Sequence, residues 1–430
     1  MNSSRPRYDE TGWAEPPVDV TIVMPCLNEA ASLPHCIANA RAALAEMEVC
    51  HGLKGEIVIA DNGSTDASVP VAEREGARVV SVEDKGYGAA LIGGCEAARG
   101  RFILMGDADG SYDFVDGVAM IGSLVAGADL CMGSRFGGGI APGAMPWKNR
   151  YIGNPLLTGV LNLFFRAGIH DAHCGLRAIT GPAFDALRLT GQGMEFASEM
   201  IIKASLKRLR ITEVPATLSP DLRARPPHLR PWRDGWRHLR YLLMLSPTWV
   251  FGVPALAAVG AASLVLIIAL LHLIGVLPGD GPFGTSWTII AGFLFTGGHF
   301  TAILALATHF HGVRQGYRCL RPTLLRHADV LTLETLLVIG FGLVVASLAS
   351  TLAITYHWSQ AGYSALPNIL PLVLAAVMGA TGLQTIFGGF LLAIIAGHVA
   401  EFAREATRPS TRWMVSPPRR EPPSPEVSAA

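Results

Sequence analysis

Charged residues and paired cysteines are both scarce in this sequence. Asp, Glu, Lys and Arg make up only 16% of the 430 residues, and because 34 basic residues balance 34 acidic ones, net charge indicates no class of partner. None of the seven cysteines forms a CxxC pair, so we expect reduced thiols that act as small apolar residues. The chain is too long for one ordinary domain, which predicts segments with different roles.

Charge is nearly absent from the region between residues 248 and 400. Four runs there are rich in Leu, Ala, Ile, Val and Gly, and each exceeds the roughly 20 residues that a helix needs to cross about 30 Å of hydrocarbon. Buried helices of a soluble protein seldom stay apolar over this length. The sequence therefore predicts an α-helical membrane domain over 248–400, with four transmembrane helices at about 249–276, 287–310, 333–356 and 369–397.

The loops between these runs predict the orientation of the chain. The connections 277–286 and 357–368 contain no Lys or Arg, whereas 311–332 contains four arginines and the tail 401–430 contains five. Because basic residues stay on the cytoplasmic side, we expect a multi-pass protein of the cell (inner or plasma) membrane with a cytoplasmic N-terminal domain and a cytoplasmic tail. Residues 1–17, which lack an apolar signal segment, and residues 401–430, rich in Pro, Ser and Arg, are predicted to be disordered tails.

The N-terminal part of the chain alternates short apolar runs with stretches of helical character. The runs show little of the alternation expected of a half-exposed strand, which indicates strands covered by helices on both faces. We therefore predict an α/β domain with an open, mostly parallel sheet, in which ligands bind beyond the carboxyl ends of the strands. Polar motifs follow four of the runs: "PCLNE", "DNGSTD", "DKGYGAA" and "DADGSYD". The predicted strands are 20–25, 56–61, 77–82, 101–106 and 128–133.

The most concentrated negative charge lies in "MGDADGSYD", directly after a buried run. Asp107 and Asp109 are two positions apart, a spacing at which two carboxylates can chelate one hard cation such as Mg²⁺ or Mn²⁺. Such a cation would neutralise a diphosphate leaving group, and a solvated acidic turn is the alternative. Asp66 and Asp113 are instead expected to cap the helices that follow them.

Six motifs in this order carry a family resemblance: "VTIVMPCLNEA", "IVIADNGSTD", "GYGAAL", "ILMGDADGSYD", "MGSRF" and "DAHCGLRAI". Together they resemble the family-2 inverting glycosyltransferases of the GT-A fold, and in particular the dolichyl- or polyprenyl-phosphate sugar synthases. The resemblance spans residues 18–225 and implies a Rossmann-like, nucleotide-sugar-binding catalytic domain, which we place at 18–230. It also implies metal-dependent, inverting transfer of a hexose-like sugar from a nucleotide-diphosphate sugar to a polyprenyl (dolichyl or undecaprenyl) phosphate at the cytoplasmic membrane face.

The same resemblance gives roles in donor binding to individual residues. Asp107 and Asp109 match the DxD motif, which would meet the divalent cation on the diphosphate. Lys85 and Gly86 stand before a predicted helix, where backbone N–H groups and the helix dipole favour a phosphate. Close packing of that helix explains the glycines equally well, and Lys85 could instead be solvated. The predicted nucleotide-binding set is Pro25, Leu27, Glu29, Asp61, Lys85, Gly86 and Asp107.

An acceptor phosphate would need cationic side chains at the mouth of the site. Arg135, Arg150 and Arg177 match positions that the family uses around phosphate groups, and Arg225 is a further candidate nearer to the membrane. Because such a phosphate arrives as an anion, it needs positioning and charge neutralisation more than it needs a general base. Solvated salt bridges are the alternative role for each arginine.

A hydroxyl acceptor would instead require a general base. Asp171, Glu195 and Glu199 are the available carboxylates, and Asp171 completes a predicted catalytic set with Asp107 and Asp109. Glu195 and Glu199 are four positions apart on a predicted helix, so they share a face and are also candidates for a structural role.

Residues 231–247 predict a basic amphipathic helix that lies in the membrane interface. Aromatic and leucine side chains recur at helical spacing on one side of this segment, and arginines recur on another, which is typical of helices that bind the headgroups of a lipid bilayer. The helix would either hold the catalytic pocket against the bilayer or only anchor the chain. The residues concerned are Trp232, Trp236, Leu239, Leu243, Arg233, Arg237 and Arg240, preceded by Arg223, Arg225 and Arg230.

Two other functions are compatible with parts of the sequence: sugar transfer to another membrane lipid hydroxyl, and a non-catalytic, transport- or flippase-associated role. The intact Asp107–Asp109 pair and the few charges in the spans argue against the second. His299, His309 and His311 lack partners at metal-ligand spacing, which predicts polar packing. We expect no nucleic-acid partner. The sequence is compatible with a monomer and with a homo-oligomer.

Overall fold

A computed structural model describes residues 18–223, 231–278, 281–320, 322–327, 329–364, 366 and 368–401. These residues form two compact units. The first runs to Val253 and includes Tyr317–Cys319, and the second comprises Pro254–Gly316 together with the residues from Leu320 onward. The predicted disordered tails, apart from residue 401, lie outside the described residues, and so do residues 224–230 at the end of the predicted catalytic domain.

The first unit, called the catalytic unit below, is built on a seven-stranded sheet in the order β3-β2-β1-β4-β6-β5-β7. Strands β1, β2, β3 and β4 are mutually parallel, as are β5 and β7, so the predicted open and mostly parallel sheet is confirmed. The strands are β1 Val20–Cys26, β2 Gly55–Asp61, β3 Arg78–Ser81, β4 Phe102–Met105, β5 Leu130–Ser134, β6 Arg177–Thr180 and β7 Ile211–Pro215.

Helices cover both faces of the sheet, as the apolar character of the strands predicted. In β1, Ile22 and Met24 belong to one hydrophobic core and Val23 to the other, because successive side chains of a strand point to opposite faces. The helices of this unit are α1 Leu33–His51, α2 Ser68–Arg74, α3 Tyr87–Glu96, α4 Gly117–Val125, α5 Arg135–Gly138, α6 Asn154–Phe165, α7 Gly181–Leu187, α8 Phe196–Leu206 and α9 Pro231–Met244.

Two strands were not predicted, and one of them changes the sheet. Strand β6 lies between β4 and β5 and is antiparallel to both, with Arg177 opposite Met105. It has only four residues, too few to show a hydrophobic period in the sequence. Its antiparallel direction matters for the site, because β6 begins beside the carboxyl end of β4 and brings the preceding loop to that edge.

Helix α9 packs on the catalytic unit with a face that differs from the predicted one. Leu242 is only 1% exposed and belongs to a core, against which Tyr241 and Leu245 also pack. Trp236, which was predicted to share an interfacial apolar face with Leu239, is 60% exposed. The side of α9 predicted to lie in the membrane interface is therefore not the side that packs on the core, and its interfacial role stays a prediction.

The second unit, called the membrane unit below, contains four helices long and apolar enough to cross a bilayer. They are Thr248–Leu273, Thr285–Arg314, Leu333–Gln360 and Leu370–Ala396, close to the four predicted spans. Large apolar side chains such as Leu256 and Phe293 are each 77% exposed, which suits contact with lipid rather than with water. We label its helices α10 Val253–Leu273, α11 Thr285–Arg314, α12 Pro322–Arg326, α13 Leu333–Gln360 and α14 Leu370–Ala396.

Candidate active site

A large cavity lies in the catalytic unit at the carboxyl ends of its central parallel strands. It has a volume of about 960 Å³ and is bordered by the residues that follow β1, β2 and β4, together with part of α9. Its position agrees with the rule that ligands of open α/β sheets bind beyond the carboxyl ends of the strands. Predicted site residues on its wall are Pro25, Leu27, Glu29, Lys85, Gly86, Asp107, Asp109 and Arg135.

Asp107 and Asp109 emerge from β4, which is buried between the two cores, and both border the cavity. One carboxylate oxygen of Asp107 accepts a hydrogen bond of 2.9 Å from the Tyr87 hydroxyl. One oxygen of Asp109 accepts bonds from the backbone N–H and the hydroxyl of Ser111, at 2.9 and 2.6 Å. These bonds fix each carboxylate through one of its two oxygens. They do not involve the other oxygen.

The two carboxylates are electrostatically unfavourable neighbours. Burial, together with the charge of Asp109, raises the pKa of Asp107 to about 6, although the Tyr87 hydrogen bond and the cations of Arg223 and Arg135 act in the opposite direction. The ionised form of Asp107 is therefore destabilised in the chain alone. A bound cation would reverse this effect by attracting both carboxylates.

Arg223 is a site residue whose partners sequence reasoning did not identify. Its guanidinium lies 2.8 Å from a carboxylate oxygen of Glu29 and 3.3 Å from one of Asp109. Burial alone would lower the pKa of Arg223, but Asp109 and Glu29 raise it overall. The only signal in the sequence was its place in an arginine cluster before α9, which indicated a basic surface rather than a contact with the DxD motif.

The predicted nucleoside site is only partly assembled as expected. Leu27 is 38% exposed on the cavity wall, where Asn62 and Gly63 join it. Asp61, in contrast, does not border the cavity. Its carboxylate accepts hydrogen bonds of 3.1 Å from the backbone N–H groups of Gly63 and Ser64. The structure thus gives Asp61 a contact that stabilises the turn after β2, and its predicted role in nucleotide binding stays a prediction.

Asn62 connects that turn to the start of α3. Its side-chain oxygen accepts a bond of 2.8 Å from the backbone N–H of Gly86, and its backbone carbonyl accepts one of 2.8 Å from the Lys85 ammonium. Gly86 has a φ of +136°, and a Cβ atom there would lie 2.2 Å from the carbonyl oxygen of Gln192. Glycine is therefore required by close packing, one of the two explanations that the sequence left open.

Arg135 and Asp171 form a buried ion pair. Two guanidinium nitrogens of Arg135 donate to the two carboxylate oxygens of Asp171, at 2.7 and 2.8 Å. Asp171 is fully buried and does not border the cavity, whereas Arg135 does. This geometry does not fit the predicted role of Asp171 as a catalytic base, since both of its oxygens are engaged. Asp171 instead holds Arg135 in position at the cavity.

The other predicted arginines are not brought together. Arg177 is 2% exposed and donates to the backbone carbonyl groups of Ala172, Cys174 and Ala197 at 2.7 to 3.1 Å, so it braces the loop before β6. Arg150 lies over the ring of Tyr151, 5.5 Å from its centroid, and does not border the cavity. Arg225 lies outside the described residues.

The two glutamates at the start of α8, Glu195 at its N-cap and Glu199 in its first turn, do not border the cavity either. Glu199 is fully buried, pairs with Lys203 at 2.6 Å and accepts a bond of 2.7 Å from the backbone N–H of Gly191. Burial raises its pKa, but the charge and hydrogen bond of Lys203, together with the bonds from Gly191 and Tyr241, leave the pKa below its ordinary value. Glu199 therefore has the structural role that the sequence left as one alternative. Glu195 accepts a bond of 3.1 Å from the backbone N–H of Gly193.

Asp113 is the N-cap that the sequence predicted, whereas Asp66 stands just before Ala67, the N-cap of α2. Asp113 accepts a bond of 3.0 Å from the backbone N–H of Val115 at the start of the helical turn after it. Asp66 accepts bonds from the backbone N–H and the hydroxyl of Ser68, at 2.9 and 2.5 Å.

Comparison with known proteins shows the family to which this chain belongs. Residues 21–188 match the model of glycosyl transferase family 2, and residues 306–396 match that of the glycosyltransferase family 2 C-terminal transmembrane region. The low-salt glycan biosynthesis hexosyltransferase Agl6 of Haloferax volcanii is 38% identical over 378 residues, which are 87% of this chain and 88% of that protein.

Two further similarities cover mainly the catalytic unit. The dolichyl-phosphate hexose transferase of Haloferax volcanii is 27% identical over 46% of this chain and 81% of that protein. Glucosyl-3-phosphoglycerate synthase from Mycobacterium tuberculosis, crystallised with Mn²⁺, UDP-glucose and phosphoglyceric acid, is 21% identical over 53% of this chain and 78% of that chain, with a TM-score of 0.40. The chain belongs to the family-2 glycosyltransferases and, with its C-terminal transmembrane region, is a membrane enzyme similar to the polyprenyl-phosphate sugar transferases.

Proposed function

We propose that this protein transfers a hexose-like sugar from a nucleotide-diphosphate sugar to a polyprenyl phosphate, with inversion, at the cytoplasmic face of the cell membrane. The observation that carries the proposal is the placement of Asp107 and Asp109 on the wall of a large cavity at the strand ends. The cavity is wide enough for a nucleotide sugar, and its wall includes the cations of Arg135 and Arg223. A diphosphate would receive charge compensation from both.

A divalent ion, Mg²⁺ or Mn²⁺, fits the donor set of Asp107 and Asp109. Among the residues that the structure describes, no group of three or more His, Cys, Asp or Glu side chains could hold a metal by itself. Mg²⁺ is commonly bound through one or two carboxylates, with substrate phosphates and water as its other ligands, so this pair suits an ion that arrives with the donor. When bound, the ion would neutralise the charge that develops on the leaving diphosphate.

The residues of the chain would orient the two substrates. Leu27 and Pro25 border the part of the cavity proposed for the nucleoside, and Arg135, fixed by Asp171, faces the region proposed for phosphate. An oxygen of the acceptor phosphate would attack C1 of the sugar as the bond from C1 to the donor phosphate oxygen breaks. The products are then a sugar-phosphate lipid and a nucleoside diphosphate. No proton has to be removed from the nucleophile, since the second pKa of a phosphate monoester is about 6.

The acceptor is proposed from three independent features. Arg237 and His238 of α9 border the cavity, so a helix predicted to lie in lipid headgroups contributes to its wall. The chain carries four helices that could span a membrane. One relative has the name dolichyl-phosphate hexose transferase. The arginine-rich connection 311–332 supports a cytoplasmic location for the reaction.

A lipid hydroxyl as the acceptor is disfavoured by the state of the candidate bases. Asp171 and Glu199 are fully buried in ion pairs, and neither they nor Glu195 border the cavity. A hydroxyl nucleophile would therefore lack a positioned base among the carboxylates that the sequence offered for this role.

The test is mass spectrometry of the lipid products formed by the purified full-length protein. The protein is incubated with undecaprenyl or dolichyl phosphate, a panel of UDP- and GDP-hexoses, and Mg²⁺, Mn²⁺ or EDTA. We expect a hexosyl phosphate lipid with at least one donor, and loss of the product in EDTA. Substitution D109N should lower the rate at least about a hundredfold, because charge stabilisation at the leaving group is a large part of catalysis.

Substitution D113N is the matched control for D109N. Asp113 lies in the same loop but is exposed and caps a helical turn, a role that Asn also fills well. Full activity of D109N would refute the proposal. Recovery of the hexose only as free sugar in water, with every donor, would also refute it.

A further inference from the structure

A narrow pocket adjoins the large cavity beside Asp107. We call it the side pocket; its volume is about 160 Å³, roughly that of five liquid waters at about 30 Å³ each. Asp107 belongs to the walls of both spaces, so a group attached to a diphosphate at the DxD motif can extend into the side pocket. Its polar lining consists of Tyr87, Asp107, Tyr112, Arg135, His173 and Arg177.

His173 is the unsatisfied polar group of this lining. Both of its ring nitrogens are buried, and neither has a hydrogen-bond partner among the described residues. The backbone that carries this ring is held on both sides, because Arg177 donates to the carbonyl groups of Ala172 and Cys174. The edge-to-face contact with His238, 4.9 Å between ring centroids, also restricts it. A buried polar group without a partner destabilises the folded chain, and a ligand in the side pocket would remove that cost.

The charged groups around His173 already have hydrogen-bond partners within the chain. Arg135 is paired with Asp171, Arg177 donates to three carbonyl groups, and Asp107 accepts a bond from Tyr87. Burial, and then His238, Arg135 and Arg177, holds the pKa of His173 well below its usual range, so the ring is neutral. A neutral imidazole has one N–H donor and one acceptor nitrogen.

These properties select a hydroxyl group over a phosphate as the ligand of His173. A hydroxyl both donates and accepts, and thus complements the two nitrogens of a neutral ring. An anionic phosphate only accepts, so it would leave the acceptor nitrogen of the neutral ring without a donor. The sugar of the donor is the hydroxyl-bearing group that would be attached beside Asp107.

We propose that His173 is a specificity-determining residue that binds a hydroxyl group of the transferred sugar in the side pocket. The proposal rests on the proposed function for the presence of a nucleotide sugar, but not for the identity of the acceptor. Ser198, which bonds to the ring of His238 at 2.8 Å, supports the arrangement from α8 by fixing the neighbour of His173.

The test compares the binding of a nucleotide sugar with that of the same nucleoside diphosphate, which lacks the sugar. Calorimetry with the full chain in detergent and Mn²⁺ would use UDP-glucose, UDP-galactose and GDP-mannose, with UDP and GDP as references. For the best donor, we expect H173L to lower the ratio of nucleotide-sugar affinity to diphosphate affinity roughly tenfold, the size of a buried hydrogen bond. The diphosphate affinity itself should stay unchanged.

Two further variants keep this test interpretable. H173N retains a donor and an acceptor and should keep the ratio closer to wild type than H173L does. H170L is the matched control, because His170 is three residues away with its side chain 83% exposed and does not border either space. If H173L fails to fold, H173F is compared with H173N, and the same tenfold difference is expected.

An unchanged ratio in H173L, or an equal loss of diphosphate and nucleotide-sugar binding, would overturn the proposal. Transfer to polyprenyl phosphate is measured on the same preparations. A reduced ratio without any lipid product would support the role of His173 and refute the proposed acceptor. Normal lipid product with an unchanged ratio would refute the role of His173 alone. If no donor in the panel bound to the wild type, both proposals would fail.

Discussion

The catalytic unit and the membrane unit bury polar side chains in different ways. In the catalytic unit, charged groups gather at one end of the buried strands, as in the pair of Arg135 with Asp171. In the described part of the membrane unit, His299 of α11 instead makes a contact of 2.9 Å with the side-chain oxygen of Gln384 of α14. Buried charge is tolerated where it is paired with the opposite charge, whereas a lipid-embedded helix favours uncharged polar partners that satisfy each other.

The two units also differ in what brings their elements together. Helices α13 and α14 of the membrane unit meet through Gly340 and Gly382, where a Cβ atom on Gly340 would lie 2.8 Å from the carbonyl oxygen of Gly382. Small residues at such contacts let helix backbones approach where lipid offers no hydrophobic driving force. The catalytic unit instead relies on two large apolar cores. Stability in one unit therefore depends on fit between backbones, and in the other on area removed from water.

Of the substitutions that test this comparison, the largest loss of stability is expected at the buried ion pair of Arg135 and Asp171. D171N removes the negative partner and leaves the guanidinium of Arg135 buried without compensation, which typically costs about 3–5 kcal/mol. We expect thermal unfolding of the catalytic unit in detergent to shift down by an amount that corresponds to this loss. The double variant R135M/D171L should recover part of it, since an apolar pair leaves no buried charge.

Glu75 provides the control for D171N. It pairs with Arg41 at 3.9 Å on the surface, so E75Q should change stability by less than about 1 kcal/mol. Equal effects of D171N and E75Q would mean that the buried pair contributes no more than a surface one.

A smaller effect is expected at Asp107, and it depends on pH. The folded pKa of about 6 lies above the ordinary value of 3.8, so the unfolded chain ionises first and the native state loses stability as pH rises from about 4 to about 6. Without metal at pH 7.5, D107N should therefore be more stable than the wild type by about 3 kcal/mol, and the difference should vanish near pH 4. Thermal unfolding in EDTA across this range measures it.

D113N is again the control, because Asp113 is exposed. A wild type as stable as D107N at pH 7.5 in EDTA would show that the carboxylate pair is not electrostatically unfavourable. Addition of Mn²⁺ with a nucleoside diphosphate should stabilise the wild type and leave D107N nearly unchanged.

The smallest effect is expected in the membrane unit. H299L removes the contact with Gln384 and should lower stability by about 1 kcal/mol, the size of a hydrogen bond between transmembrane helices. Sugar transfer measured well below the unfolding temperature should not change. The double variant H299L/Q384L should be more stable than H299L, and H311L, at an exposed position of the same helix, should resemble the wild type.

Part of the candidate site could be predicted because its signal is local. Asp107 and Asp109 are two positions apart at the end of an apolar run, and a buried strand delivers both to one edge of the sheet. Arg135 and Asp171 were both selected from motifs, but their pairing was not, because β6 and its loop bring them together only in the folded chain. For the same reason Asp61 was predicted to meet a ligand, whereas its carboxylate binds its own turn.

The sequence by itself determined the α/β class of the first unit, the sheet edge that carries the polar motifs, and the four apolar helices. Each of these follows from hydrophobic pattern and length, which are properties of neighbouring residues. Only the tertiary structure decided the antiparallel direction of β6, the contacts of Arg223 with Glu29 and Asp109, and the unsatisfied ring of His173. These depend on which side chains meet across the fold, and distances of a few ångströms between remote residues leave no periodic trace in the sequence.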